Sequence, residues 1–103
     1  MKEKILKYSF IKNLSSLQFI QEIWLYGSRA RGDHLERSDI DIAIVCGDIS
    51  IKDWSEVLKK IDSADTLLKI DIIQYNTIKD LEFKKRIQKE KVILFRRDHV
   101  SKN

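Results

Sequence analysis

The chain has 103 residues with a formal net charge of +4, and 43% of its residues are hydrophobic and 35% charged. This length predicts a single domain over residues 1–103, and the composition excludes a disordered chain. Because no apolar run approaches the ~20 residues of a membrane span and the N-terminus lacks a signal-peptide pattern, we expect a cytoplasmic protein with no membrane partner.

The first elements follow from the spacing of apolar residues. A helix is predicted over residues 4–17, because apolar residues recur there at intervals of four, four and three: Leu6, Phe10, Leu14 and Leu17. Residues 22–26 are aromatic and branched, which predicts a buried strand that ends at Gly27. Residues 28–32 can then form one or two helical turns.

Residues 40–46 alternate as in a strand, so that one face is apolar and the other carries Asp41, with Asp39 just before it. Ser50 with Asp53 three residues later resembles a capping box and predicts a helix to about Ser63. Its expected apolar face consists of Ile51, Trp54, Leu58 and Ile61.

A further strand is predicted over residues 68–75, with Asp71 on the face opposite Ile70 and Ile72. Thr77 with Asp80 predicts another helix start, and the helix should run to about Lys89, followed by a short strand over 92–95 and a frayed tail over 96–103. This order predicts an α/β (α+β) fold, a small mixed sheet with helices packed against it.

The aspartates have the spacing that divalent metal chemistry requires. Carboxylates at i and i+2 on one strand face are ~7 Å apart, which lets them hold two ions ~3.5–4 Å from each other. Hard oxygen ligands without histidine or thiolate favour Mg²⁺. Asp39 and Asp41 are therefore candidate metal ligands and catalytic residues, and Asp71 on a neighbouring strand is the candidate third carboxylate, which could also help to accept a proton.

The turn between the two strands has the residues of a phosphate site. Gly27 lets the backbone approach a triphosphate closely, and the Ser28 hydroxyl and following amides can donate hydrogen bonds to its oxygens. Arg29 and Arg31 lie where guanidinium groups could neutralise phosphate charge. The sequence therefore places nucleotide-binding residues beside the metal ligands.

Each feature alone has an ordinary explanation. A Gly-Ser pair after a strand is commonly a turn, an Asp-x-Asp is commonly solvated, and the arginines could serve solubility alone. The basic residues near the end of the last helix favour a solvated helix face over a contact for an acidic partner or RNA: Lys84, Lys85, Arg86, Lys89 and Lys91. It is the combination of all the parts, with a third acid in an apolar strand, that indicates a catalytic site.

The run GSRARGDHLERSDIDIAIV, residues 27–45, resembles the GS-x10-DxD motif of the nucleotidyltransferase superfamily whose palm is similar to that of DNA polymerase β. With LLKIDIIQY after it, the chain is similar to the minimal nucleotidyltransferases, which are typically encoded beside a HEPN-domain protein as antitoxin and toxin. The matched elements cover residues 22–75, about half of the chain.

The resemblance implies an enzyme that binds a nucleoside triphosphate, ATP in particular, with two Mg²⁺ ions. Asp39, Asp41 and Asp71 map to the metal ligands, and Gly27 and Ser28 map to the triphosphate turn. It further implies transfer of AMP to a hydroxyl, a tyrosine of a HEPN toxin, with nucleic acid not the primary partner.

Two other functions stay open from the sequence. The chain could be a non-catalytic antitoxin that masks its toxin by binding alone. It could also be a nucleotidyltransferase of the aminoglycoside type that modifies small molecules as a homo-oligomer. Larger relatives carry an added domain for which 103 residues leave no room, so a second protomer or a partner protein would have to supply that part of the site.

Overall fold

The computed structural model describes Ile5 and residues 8–98. Four strands form one sheet: β1 (Ile20–Tyr26), β2 (Ile40–Cys46), β3 (Ile70–Gln74) and β4 (Val92–Arg96). The helices between them are α1 (Ser9–Ser15), α2 (Ser28–Arg31), α3 (Ile51–Asp62) and α4 (Leu81–Glu90), with a 3-10 turn at Tyr75–Thr77. The predicted order of elements is confirmed.

The sheet is mixed, with strand order β3-β2-β1-β4. Strand β1 pairs antiparallel with both β2 and β4, whereas β2 and β3 are parallel. The connection from β2 to β3 contains α3, as a parallel crossover requires. The two strands that carry the candidate metal ligands are therefore neighbours with the same direction.

One face of the sheet supports the main core. Strand β2 contributes Ile40, Ile42, Ile44 and Cys46, all at most 1% exposed. Helices α1 and α3 cover this face with Phe10, Leu14 and Val57. The alternation predicted for β2 is confirmed, because its apolar residues face this core while Asp41 points to the opposite side.

The opposite face has a smaller core that helix α4 covers. Its buried members are Trp24, Tyr26, Ala43 and Ile87. Asp41 and Asp71 lie at the edge of this second cluster, because each is two residues before a member of it, Ala43 or Ile73, on the same strand face. The candidate site therefore lies at one end of the sheet face under α4.

The helix boundaries correct several expectations. Helix α1 is shorter than predicted, and Leu6 lies outside the described residues. The Ser50 hydroxyl does accept from the Asp53 amide at 3.0 Å, as the capping-box pattern predicts. Asp80 caps helix α4, because its side chain accepts hydrogen bonds from the backbone amides of Glu82 and Phe83. Thr77 does not cap it, because its hydroxyl donates to the Gln74 carbonyl within the 3-10 turn.

The predicted apolar face of α3 is only partly right. Ile51 is 90% exposed and Leu58 is 43% exposed, whereas Val57 is fully buried. The stripe that packs on the sheet is Trp54, Val57 and Ile61, which has regular helical spacing of three and four. Ile51 is the first residue of the helix and lies beyond the edge of this contact.

The predicted start of the frayed C-terminal tail, residue 96, is too early. Arg96 is the last residue of β4, and the guanidinium group of Arg97 donates to three carbonyl oxygens at 2.9–3.1 Å, those of Ser15, Leu17 and Ile20. Residues 99–103 lie outside the described residues. Within the described part of the chain, no helix is long and apolar enough to span a membrane.

Candidate active site

Two of the predicted acids lie side by side. In the parallel pairing of β2 with β3, Asp41 is the register partner of Asp71, and on the other side of β2 it pairs with Tyr26 of β1. Asp39 lies two residues before Asp41, just outside the strand. The prediction that the acids of two neighbouring strands meet on one sheet face is confirmed for Asp41 and Asp71.

The electrostatic environment of Asp41 reflects this crowding. Burial raises the pKa of its carboxyl group, and the negative charges of Asp71 and then Asp39 raise it further. A smaller opposite effect comes from the positive charge of Arg31, and a side-chain hydrogen bond with Asp71 adds to the rise. A buried carboxyl group whose pKa is raised by two neighbouring acids has the charge arrangement expected at a catalytic carboxylate pair.

Tyr26 lies beside these acids, as the β1 partner of Asp41. Burial, followed by the charges of Asp41 and Asp71, raises the pKa of its phenol to about 12. Its ring packs edge-on against Phe83 of α4, with the ring centroids 5.9 Å apart. Tyr26 therefore stays neutral at physiological pH and separates the acids from the apolar cluster under α4.

Only glycine fits at position 27. Gly27 has φ 78° and ψ −157°, a backbone region that side chains disfavour strongly. A Cβ atom there would lie 3.1 Å from Cγ of Asp41 and overlap its carboxylate. Gly27 was predicted to let the backbone approach a triphosphate, and the group that it approaches closely in this structure is the Asp41 side chain.

The turn continues into the one-turn helix α2. The Gly27 carbonyl accepts from the amides of Ala30 and Arg31, and the Ser28 carbonyl accepts from Gly32 and Asp33. This leaves the amides at the start of α2 without partners in the helix, as at any helix N-terminus. Ser28 and these amides are therefore placed next to the acids, consistent with the predicted phosphate turn.

Arg29 has a different use from the predicted one. Its side chain is buried, 6% exposed, and its guanidinium group donates to the carbonyls of Ser38 at 3.0–3.1 Å and Glu36 at 2.9 Å. These contacts tie α2 to the segment that leads into Asp39. Nε and Nη2 of Arg29 are bonded to backbone oxygens, so these contacts add no support to the prediction that Arg29 neutralises phosphate.

Arg31 is held by two carboxylates. Its Nε donates to Asp33 at 3.0 Å and its Nη1 donates to Glu90, the last residue of α4, at 2.9 Å. The other oxygen of Glu90 accepts from the Gly27 amide at 3.1 Å. Sequence reasoning missed Glu90, since it is 63 residues from Gly27 and its only signal is an acid within a lysine-rich segment.

An open hollow adjoins Asp39. It has a volume of about 530 Å³ and lies between the segment before β2 and the segment before β3. Leu67 in its lining is fully exposed, and the adjacent Lys69 pairs with Asp71 at 3.5 Å. The hollow gives an approach to the acids from the β3 edge of the sheet. Its lining residues are Glu36, Arg37, Asp39, Leu67, Leu68 and Lys69.

The donor chemistry fits a hard divalent cation, because carboxylates are the ligands that Mg²⁺ prefers and the charges of two further acids act on Asp41. The side chains are not already arranged as a closed ligand cage. Among Ile5 and residues 8–98, no group of three or more His, Cys, Asp or Glu residues has the arrangement to hold an ion. Oxygens from a bound phosphate would have to complete such a site.

Comparisons with known proteins show the family of this chain. The family model described as "Polymerase beta, Nucleotidyltransferase" matches residues 9–100. A relative from Methanocaldococcus jannaschii, named "Putative protein adenylyltransferase MJ1379", is 34% identical over 73 residues, which are 69% of this chain and 73% of that protein.

Two solved structures have the same fold. One, described as a toxin-antitoxin with AMP-PNP, matches 98% of this chain and 77% of its own with a TM-score of 0.66 at 20% identity. The other, the toxin-antitoxin MntA-HpeT, matches 99% and 78% with a TM-score of 0.65 at 18% identity. Since the family model spans nearly all of the chain and the Methanocaldococcus relative exceeds 30% identity, this chain belongs to the polymerase beta nucleotidyltransferase family, as a minimal nucleotidyltransferase.

Proposed function

We propose that this nucleotidyltransferase transfers AMP from ATP to a hydroxyl group of a partner protein, and that the partner is a HEPN-type toxin. The observation that supports the proposal most is the register of Asp41 with Asp71 on parallel strands beside the Gly27 turn. The relative named as a protein adenylyltransferase supports the choice of AMP and of a protein acceptor. The two toxin-antitoxin structures with this fold support the choice of a toxin.

The acids have separate roles in this proposal. Asp39 and Asp41 would hold two Mg²⁺ ions, with Asp71 as a further ligand. When bound, the ions neutralise the developing charge on the phosphate oxygens. Asp71 is exposed at the β3 edge, with 43% of its side chain accessible, so that it can also accept the proton of an acceptor hydroxyl.

Ser28 holds the triphosphate through its hydroxyl and the backbone amides that follow it, while Gly27, which has no side chain, lets the backbone come close. The acceptor oxygen attacks the α-phosphorus and forms the new P–O bond, while the bond to the bridging oxygen between the α- and β-phosphates breaks. Pyrophosphate leaves with the electron pair, and the hydroxyl proton goes to Asp71. The hollow beside Asp39 supplies the space through which a partner's hydroxyl can reach this position.

The test is transfer of labelled AMP to the toxin. The chain is purified with the protein encoded by the neighbouring reading frame and incubated with Mg²⁺ and α-labelled ATP. We expect the label on the toxin, and its loss in the double variant Asp39→Asn with Asp41→Asn. The matched control is Asp48→Asn, which removes one carboxylate from an exposed turn and should label normally.

Labelling that persists in the double-Asn variant would show that the catalytic assignment is wrong. Protection of cells from the toxin separates transfer from simple masking. If the double-Asn variant protects cells as well as the native chain does, the chain acts by occlusion. If the label appears on a small molecule and never on the toxin, the acceptor class is wrong.

A further inference from the structure

Glu90 connects the end of helix α4 to the phosphate turn. Its Oε1 accepts from the Gly27 amide at 3.1 Å and its Oε2 accepts from Nη1 of Arg31 at 2.9 Å. Only 11% of its side chain is exposed, whereas 44% of the Arg31 side chain is exposed. One carboxylate thus holds both a backbone donor and a cation of the predicted nucleotide site.

The helix directs Glu90 inward. Ile87, three residues earlier, lies on the same helix face and is fully buried against the sheet. Two nearby cations pack on aromatic rings of the same layer: the amine of Lys91 lies 4.0 Å from the Trp24 ring centroid and the guanidinium of Arg86 lies 5.3 Å from that of Phe83. The anchoring of α4 on the sheet therefore fixes where the Glu90 carboxylate can reach.

Gly27 is held from two sides as a result. Its amide donates to Glu90, while the space that a Cβ would occupy is filled by the carboxylate of Asp41. The turn is thus fixed between the last helix and strand β2. A shift of either neighbour would move the start of α2 and with it the amides assigned to the triphosphate in the proposed function.

The contact also determines where the charge of Arg31 lies. The positive charge of Arg31 acts at Asp41, where it lowers the pKa of the carboxyl group. Without Glu90, Arg31 would keep only its exposed pair with Asp33, and its guanidinium group could turn toward the negatively charged catalytic acids. It would then oppose the binding of a cation at those acids.

We propose that Glu90 is a positioning residue for the nucleotide: it holds the Gly27 turn in place and keeps Arg31 beside the triphosphate and off the catalytic carboxylates. This inference rests on the proposed function, since it takes the turn to be the triphosphate site. Glu90 remains on Gly27 and Arg31 when the nucleotide binds.

The first test is the affinity for ATP with Mg²⁺, measured by calorimetry, so that no transfer reaction is needed. Glu90→Gln keeps an oxygen for the Gly27 amide but removes the charge that pairs with Arg31, and Glu90→Leu removes both contacts. We expect the dissociation constant to rise roughly fivefold in Glu90→Gln and more in Glu90→Leu, as loss of one and then two charge-assisted bonds implies. Glu82→Gln makes the same charge change at an exposed position on α4 and should bind normally.

A second readout separates positioning from simple stability. The ¹H–¹⁵N resonance of the Gly27 amide should move and lose exchange protection in Glu90→Leu, keep most of its protection in Glu90→Gln, and stay unchanged in Glu82→Gln. In a transfer assay, KM for ATP should rise while kcat changes less than about twofold, because the same contacts hold substrate and transition state. A general loss of folding would instead move all amides together.

The outcomes decide the inference separately from the proposed function. Tighter ATP binding in Glu90→Gln would mean that Glu90 competes with phosphate and would overturn the positioning role. Binding equal to that of Glu82→Gln, with the Gly27 resonance unmoved, would overturn it as well. Loss of AMP transfer to the toxin with the expected binding changes intact would remove the proposed reaction and leave the role of Glu90 standing.

Discussion

Replacing Asp41 with asparagine should stabilise the protein in the absence of metal while it abolishes catalysis. Neighbouring strands are ~4.8 Å apart, and at that spacing two unit charges repel by ~3.5 kcal/mol at an effective dielectric constant of ~20 and by ~0.9 kcal/mol in water. Because 43% of the Asp71 side chain is exposed, solvent screening brings the value toward the lower limit. We expect Asp41→Asn to gain about 1 kcal/mol, or ~4 °C in Tm for a domain of this size.

The pH dependence has a definite sign. The pKa of Asp41 is raised in the folded state by burial, Asp71 and Asp39, so the folded protein binds the proton more tightly than the unfolded chain does. The resulting stability is fully present below the ordinary carboxyl range of ~3.9 and is lost as the pH rises through the raised pKa. The advantage of Asp41→Asn should therefore be absent in acid, grow above the ordinary range and reach a plateau.

The assay is thermal unfolding in EDTA from pH 3 to pH 8, followed by circular dichroism, with Asp48→Asn as the control for removal of an exposed charge. Addition of Mg²⁺ with ATP should raise Tm of the native chain and not that of Asp41→Asn. An Asp41→Asn variant that is less stable than the native chain at pH 7, or whose advantage is largest in acid, would refute the crowded-acid description of the site.

Three further substitutions probe the supports of the site. Gly27→Ala should cost about 2 kcal/mol or more of stability because its backbone region is nearly restricted to glycine, whereas Gly47→Ala, with open space around the new methyl group, should be nearly neutral in urea unfolding. Arg29→Lys should lose about 1–3 kcal/mol and reduce transfer, since an amine cannot reproduce the fork of bonds to two carbonyls, while Arg96→Lys at the exposed end of β4 should not; matched calorimetry and labelling would check both. Asp80→Ala should cost about 1 kcal/mol through loss of the α4 cap and leave kcat unchanged, which unfolding and kinetics together can verify.

The strands and the central acids could be predicted because their signals are local. Strand β2 has the predicted bounds. Its isoleucines alternate with other residues along the chain, a pattern that indicates a half-buried strand. The pairing of Asp41 with Asp71 was predicted only as far as two acids on neighbouring strand faces, and their parallel register is set by the crossover through α3. Ends of elements were less predictable: Thr77 and Asp80 are both capping types, and only the tertiary path shows which of them starts α4.

The roles of Arg29 and Glu90 could not be read from the sequence, because each depends on where two distant segments meet. An arginine in a phosphate-binding motif has no sequence feature that separates a guanidinium bound to phosphate from one bound to backbone carbonyls, and burial decides it. Glu90 is recognisable only once α4 is known to end above the Gly27 turn. Both side chains fix the backbone on either side of the acids, one at the approach to Asp39 and the other at the turn. The crowding that destabilises the carboxylates can therefore persist without metal, because neither segment that carries them is free to move away.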